Sequence, residues 1–163
     1  IFDKMKKISG LGERERLLLQ IAVILHGCGT YINLSDAAQC SYSIIMATEI
    51  IGLSAAERRI IANVVRYNTM DFTLEDVLEQ QLRQEDYLII VKLVAILRVA
   101  NALDRSHKQK FEQVRLTLKD AQLEIVVDTS EDITLEKGLF PPKADYFEEV
   151  FHVRPLIRKK RNL

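Results

Sequence analysis

The chain has 163 residues, of which 48% are hydrophobic and 28% are charged, a composition typical of a globular protein with a hydrophobic core. Lys+Arg and Asp+Glu number 23 each, and this zero net charge argues against a dedicated nucleic-acid-binding protein, which carries a basic excess. No apolar run reaches the roughly 18 residues that a membrane span requires, which argues against a membrane protein. With only two cysteines, Cys28 and Cys40, and no signal-peptide pattern, the chain is expected to be cytoplasmic.

Residues 13–104 are predicted to be helical. The segment "ERERLLLQIAVILHG" has a wide apolar helical face and is expected to end at Gly27. The segment "SDAAQCSYSIIMATEIIG" is predicted to begin at Ser35 and to end at Gly52, since glycine favours a left-handed C-terminal cap. These two segments predict the first two helices.

Two further helices are predicted from their first residues. Ser54 is followed three positions later by Glu57, and Thr73 by Asp76. Each pair fits a capping box, in which the two side chains satisfy free backbone N–H groups at the helix start. The next segment, "EDYLIIVKLVAILRVANALD", is apolar nearly all round, so a buried central helix is predicted. Its β-branched residues are also compatible with a strand, but a run of twenty residues without Gly or Pro favours a helix.

After Lys110 the hydrophobic period changes to two. "QVRLTL" and "LEIVV" predict a hairpin across the turn "KDAQ", and "DITLEKG" predicts a third strand. "PPKADYFEEVF" predicts a short helix, and "VRPLIRKK" predicts an edge strand, because Pro155 cannot donate to a β-ladder. The predicted fold is therefore mainly α, with a helical domain at residues 1–108 and a small α+β domain of order β-β-β-α-β at residues 109–163.

Four segments together resemble a known family: "LLQIAVILHGCGTYIN", "IIANVVRYN", "LVAILRVANALDRSHKQK" and "KADYFEEVF". They are similar to the C-terminal region of the exopolyphosphatase / guanosine pentaphosphate phosphohydrolase family. The resemblance implies an HD-like helical domain followed by the small α+β domain. It also implies a parent hydrolase whose phosphohydrolase site, with a divalent metal such as Mg²⁺, lies on N-terminal actin-like domains. Those domains are absent here, and the chain, which does not begin with Met, is expected to be a piece of a longer polypeptide.

The resemblance also allows the metal positions of an HD site to be compared with this chain. His26 matches the histidine of the His-Asp pair, but Gly27 stands where the aspartate is expected. Asn68 follows Arg66 and Tyr67 where the family often has a histidine, and Asp104 matches the final aspartate of the pattern. Since a catalytic metal usually has three or more protein ligands, the remnants His26 and Asp104 predict no metal and no cofactor in this chain.

A basic groove is the second candidate site. The resemblance implies that it would hold a long polyanion by repeated phosphate contacts, for which the arginine fork is well suited. The alternative is that Arg98 pairs with a carboxylate such as Asp104 and that the lysines are solvated charges at a helix end. The predicted substrate-binding residues are Arg66, Arg98, Arg105, His107 and Lys108.

Three functions follow from these patterns. The first is a non-catalytic module that helps to bind polyphosphate or guanosine pentaphosphate and to form a homodimer, together with the N-terminal actin-like domains of the same protein. The second is a degenerate metal-dependent HD phosphohydrolase acting through His26 and Asp104. The third is a pure dimerisation module. The first is preferred, so no catalytic residue is assigned to this chain, and neither nucleic acid nor membrane is expected as a partner.

Overall fold

The computed structural model describes residues 1–104, 108–111 and 113–160. Within these ranges, helices dominate and a three-stranded sheet lies towards the C-terminus, which confirms the predicted fold class. A short 3₁₀ helix at Cys28–Tyr31 separates α2 from α3. No described helix is both long and apolar enough to cross a membrane. The elements are α1 (Phe2–Ser9), α2 (Glu13–Leu25), α3 (Ala37–Ala47), α4 (Ala55–Tyr67), α5 (Leu74–Glu79), α6 (Gln84–Leu103), β1 (Gln113–Lys119), β2 (Gln122–Asp128), α7 (Thr134–Leu139), α8 (Pro141–Phe151) and β3 (Arg154–Lys159).

The chain divides into two compact units, each described here by itself. One unit is formed by residues 11–97, and the other by residues 1–10 together with residues 98–163. The predicted domain boundary near residue 108 stays a prediction.

In the first unit, both predicted capping boxes are confirmed. The N–H of Ser54 donates to Glu57 Oε2 at 2.8 Å, and the N–H of Glu57 donates back to Ser54 Oγ at 3.2 Å. Thr73 and Asp76 form the same reciprocal pair at the start of α5. Helix α4 then buries residues 60–65 and Tyr67 in the core of this unit.

The predicted bounds of α3 were wrong at both ends. The helix begins at Ala37 rather than Ser35, and it ends at Ala47 rather than Gly52. Thr48 leaves the helix with an extended backbone, and its Oγ1 donates to Ile44 O at 2.7 Å. A threonine that bonds the preceding turn competes with helix propagation. Gly52 does have a positive φ of 87°, but in the turn that leads into α4.

In the second unit, the hairpin and the edge strand are confirmed. β1 and β2 are antiparallel in the register Lys119↔Gln122, and β3 runs parallel to β2. The strand order is β1-β2-β3, so β3 lies at an edge, as Pro155 predicted. Alternate residues of β2 are buried on one face of the sheet, and α8 buries three apolar residues of its own. The buried residues are Leu123, Ile125 and Val127 of β2 and Ala144, Phe147 and Phe151 of α8.

The predicted third strand at residues 132–138 was wrong, because this segment contains α7. Asp132 Oδ1 accepts from the N–H of Thr134 at 3.0 Å and from its Oγ1 at 2.6 Å, which starts a turn. The buried residues that follow are Ile133, Glu136 and Phe140, spaced by three and four as in a helix. The observed order is therefore β-β-α-α-β. Helix α1, which the sequence did not predict, likewise buries Phe2, Met5 and Ser9.

Candidate functional site

The two remnant HD residues both make local hydrogen bonds. His26 follows the last residue of α2, and its Nδ1 lies 2.6 Å from Val23 O. Because a carbonyl oxygen only accepts, Nδ1 carries the proton in this bond. Asp104 follows α6, and its Oδ1 accepts from the N–H of Gln109 at 3.0 Å. His26 thus bonds the end of its own helix, and Asp104 closes the loop that follows α6.

No cluster suited to a metal is present among the described residues. In these ranges no group of three or more His, Cys, Asp or Glu side chains converges closely enough to hold an ion. His26 belongs to the unit of residues 11–97 and Asp104 to the other unit. The absence of a metal from this chain remains a prediction.

Arg66, in the last turn of α4, lies between two tyrosine rings. Its guanidinium carbon is 5.3 Å from the ring centroid of Tyr42 and 5.1 Å from that of Tyr67. Both distances are in the range of cation–π attraction. Its Nε is buried and has no hydrogen-bond partner among the described residues. The Arg66 guanidinium is therefore close to two aromatic rings.

An aromatic cluster surrounds Tyr67. Phe72 stacks on its ring with centroids 4.1 Å apart, and Gln80 Nε2 donates to its hydroxyl at 3.2 Å. Burial is the main cause that raises the pKa of Tyr67 above its usual range, and the hydrogen bond with Asp76 adds to it. Burial alone would raise the pKa of Asp76 as well, but hydrogen bonds from Thr73 and Tyr67 lower it. Tyr67 is therefore a neutral phenol. Its ring packs against Phe72 and the guanidinium of Arg66.

Arg98 is in a comparable environment in the other unit. It lies in α6 and is only 8% exposed, and its guanidinium carbon is 4.4 Å from the ring centroid of Tyr146 in α8. Burial of an arginine against an aromatic face is a packing arrangement as well as an electrostatic one. The predicted alternative, an ion pair of Arg98 with Asp104, stays a prediction.

The basic segment that follows α6 is only partly described. Lys108 is exposed, whereas Arg105 and His107 lie outside the described residues. Lys110 is held elsewhere: its Nζ is 3.1 Å from Glu136 Oε2 and donates to Asp132 O at 2.7 Å. Glu136 is fully buried, so this ion pair anchors the segment to α7.

The predicted substrate-binding residues are thus divided between the two units. Arg66 belongs to residues 11–97, whereas Arg98 and Lys108 belong to the other unit. Their common groove stays a prediction. The tyrosine partners of Arg66 and Arg98 were missed, because Tyr42 and Tyr146 are distant in sequence and no local pattern links them to either arginine.

Comparison with known proteins identifies the family. No curated protein matches the chain. The family model described as Ppx/GppA phosphatase, domain III, matches residues 1–140, which include all of the helices up to α7 and the β1–β2 hairpin. The match covers most of the chain and agrees with the resemblance found in the sequence. The chain therefore belongs to the Ppx/GppA phosphatase family, of which it carries domain III.

Proposed function

We propose that this chain is a non-catalytic module of a Ppx/GppA phosphatase and that it contributes to binding polyphosphate or guanosine pentaphosphate. The observation that carries the proposal is the match of residues 1–140 to the family model of Ppx/GppA phosphatase, domain III. The residues support a non-catalytic role, because Gly27 and Asn68 stand where the resemblance implies metal ligands, and the remaining His26 and Asp104 are fewer than the three protein ligands that a catalytic metal usually has. The phosphohydrolase site, with its divalent metal such as Mg²⁺, then lies on another part of the protein.

Phosphate binding is assigned to the basic segment after α6 and to Arg66 and Arg98. Lys108 is exposed at this segment, and Arg105 and His107 are close to it in sequence. The guanidinium of an arginine can bond phosphate oxygens bidentately. Arg66 and Arg98 are proposed as such donors, and Lys108 as a solvated charge that attracts the chain of phosphates.

The test is a calorimetric titration of the chain with long-chain polyphosphate at about 50 mM and about 300 mM salt. Binding should weaken at least about tenfold at the higher salt, because charge-driven polyanion binding releases counterions. Arg105→Ala and Lys108→Ala should each weaken it further, whereas Lys137→Ala, which removes an exposed lysine of α7, should not. No binding at the lower salt would overturn the proposal.

Metal analysis tests the non-catalytic part of the proposal separately. The chain is expected to purify without stoichiometric Mn, Fe or Zn. A stoichiometric metal that is lost in His26→Ala or Asp104→Ala would instead establish a degenerate HD phosphohydrolase, in which a bound metal activates water.

A second role, dimerisation, is favoured by an exposed apolar cluster in the unit of residues 11–97. The cluster lies at the end of α2 and in the loop after it, and its members are Val23, Ile24, Tyr31, Ile32 and Leu34, which are 45–94% exposed. Large apolar side chains that are exposed together in one short segment are typical of an interaction site. Ile24→Glu should convert a homodimer to a monomer in analytical ultracentrifugation, whereas Leu78→Glu, at another exposed leucine, should not. A monomeric wild-type chain would contradict this role.

A further inference from the structure

The outward face of the sheet carries an excess of positive charge. The registers place Arg115 and Lys119 of β1 and Arg158 of β3 on the face opposite to the buried side of β2. Lys160, the residue after β3, reaches the same face through its ion pair with Asp128. Two acidic residues, Glu124 and Asp128 of β2, lie among these four cations. The whole chain has no net charge, so this face is a local concentration of cations.

Arg115 is the cation of this face with no partner of its own. It is exposed, and within the described residues it makes no hydrogen bond and no ion pair. Arg115 and Arg158 both pair with Val126 in the register, one from each side. Two strand spacings separate them, about 10 Å between Cα atoms, and arginine side chains are long enough to reach one ligand across that distance.

Arg158 and Lys160 are paired, but only with partly exposed carboxylates. Arg158 Nη1 is 3.0 Å from Glu124 Oε1, with the two side chains 63% and 36% exposed. Lys160 Nζ is 2.6 Å from Asp128 Oδ2, with side-chain exposures of 56% and 31%. Ion pairs so accessible to water contribute little stability, so a phosphate oxygen can replace the carboxylate at low cost.

An open groove on this face provides the space for a ligand. Its volume is about 220 Å³, and Val126, which lies between Arg115 and Arg158 in the register, is an apolar residue of its lining. Arg115 and Lys160 stand at its walls with Gln113 and Asp128. The guanidinium of Arg115 is a planar fork of donors, and the ammonium of Lys160 is a compact charge. Together they suit an anion that presents several oxygens along a chain.

We propose that this groove is a binding site for a short phosphate chain, with Arg115 as its principal ligand and with Arg158 and Lys160 as secondary ligands. None of these residues belongs to the polyphosphate site of the proposed function. Arg158 and Lys160 also lie beyond residue 140, outside the part of the chain that matches domain III. Asp128 lowers the affinity for the anion, because its carboxylate competes with phosphate for Lys160.

The test uses tripolyphosphate as the probe and the 163-residue chain as the protein. Titration calorimetry should show one site, and the backbone amide resonances of β1 and β3 should shift on binding. Arg115→Gln should weaken binding at least about fivefold, because it removes a charge-assisted donor. Lys137→Gln, which removes an exposed lysine outside the groove, should change affinity less than about twofold. Asp128→Asn should tighten binding about threefold, an effect that a structural role of Asp128 would not produce.

The outcomes separate this site from the site of the proposed function. If Lys108→Ala abolishes tripolyphosphate binding and Arg115→Gln leaves it unchanged, the sheet site is overturned while the proposed function stands. If Arg115→Gln weakens the binding of both tripolyphosphate and long-chain polyphosphate, whereas Arg105→Ala and Lys108→Ala leave both unchanged, the sheet site stands and the proposed function fails. Citrate that binds as tightly as tripolyphosphate would overturn the assignment to phosphate. Circular dichroism of each variant establishes that it is folded.

Discussion

The backbone of Gly29 lies so close to Ser41 that no side chain fits between them. The N–H of Gly29 donates to Ser41 Oγ at 2.8 Å, and a Cβ at residue 29 would meet the backbone nitrogen of Ser41 at 2.4 Å. It would also meet the carbonyl oxygen of Ala37 at 2.2 Å. Since both obstacles are backbone atoms of α3, they cannot rotate away, and the loop after α2 depends on glycine at this position.

Gly29→Ala is therefore expected to lower the free energy of unfolding by roughly 2–4 kcal/mol, the range found when a packed contact must open. Urea denaturation followed by circular dichroism measures the change. Gly27→Ala is the matched control, because nothing lies within 4 Å of a Cβ there and its φ of −103° suits any residue. Equal effects of the two substitutions would contradict the close approach.

Glu57 predicts a pH dependence of stability. Hydrogen bonds from Arg14, and then from the N–H of Ser54, lower the pKa of Glu57 from 4.5 to about 2. A lowered pKa stabilises the folded state above pH 4.5, and this stabilisation is lost as the pH falls from 4.5 towards 2. Because Arg14 is partly exposed, we expect the charge to contribute roughly 1–2 kcal/mol.

Glu57→Gln should accordingly destabilise the chain at pH 6, and the difference from the wild type should shrink at pH 3. Gln retains the capping-box geometry, so the substitution isolates the charge. Chemical denaturation at both pH values measures the difference. Glu49→Gln removes an exposed glutamate with no described partner and should leave the pH profile unchanged. A difference that is constant with pH would show that the ion pair with Arg14 does not stabilise the fold.

The ion pair between Lys110 and Glu136 predicts a large loss of stability when it is broken. Glu136 is fully buried and the Lys110 side chain is 13% exposed, so Lys110→Met leaves a carboxylate without its cation in the interior. We expect a loss of roughly 3 kcal/mol in the free energy of unfolding. Thermal and urea denaturation measure it. Lys108→Met, at an exposed lysine two residues earlier, should cost less than about 0.5 kcal/mol.

The turn between β1 and β2 is a site where stability can be gained. Asp120 and Ala121 have φ angles of 51° and 56°, the signs that a two-residue type I′ turn requires. Alanine is strained at positive φ, so Ala121→Gly should stabilise the chain by roughly 0.5–1 kcal/mol. Ala100→Gly, the same substitution within α6, should destabilise it by roughly 1 kcal/mol. If both substitutions lower the free energy of unfolding, the turn assignment is contradicted.

Features set by local chemistry could be predicted from the sequence. The capping boxes at Ser54 and Thr73 need only two side chains three residues apart, and the hairpin needs only alternation around a turn. The segment around Ile133 was misassigned because local chemistry alone does not determine its structure. Its short apolar pattern is compatible with a strand. Its helical period becomes clear only from the burial of Glu136, which depends on an ion pair with Lys110, far away in the sequence.

The environment of the candidate site residues could not be predicted, because it depends on tertiary contacts. Nothing in the sequence pattern indicated that the rings of Tyr42 and Tyr146 lie beside Arg66 and Arg98. The outward position of Arg115, by contrast, follows directly from the alternation in "QVRLTLK". Only the register of β3 showed that a second arginine faces the same side.

The parallel pairing of β2 with β3 has a consequence for folding kinetics. The β1–β2 hairpin closes through a two-residue turn and can form early, whereas the pairing of β3 with β2 has to close the much longer connection of residues 129–153. During refolding, and during synthesis from the N-terminus, the central strand therefore exposes an unpaired edge that includes Ile125 and Val127. Such an edge favours aggregation, so slow docking of α8 would lengthen the period in which the nascent chain needs protection.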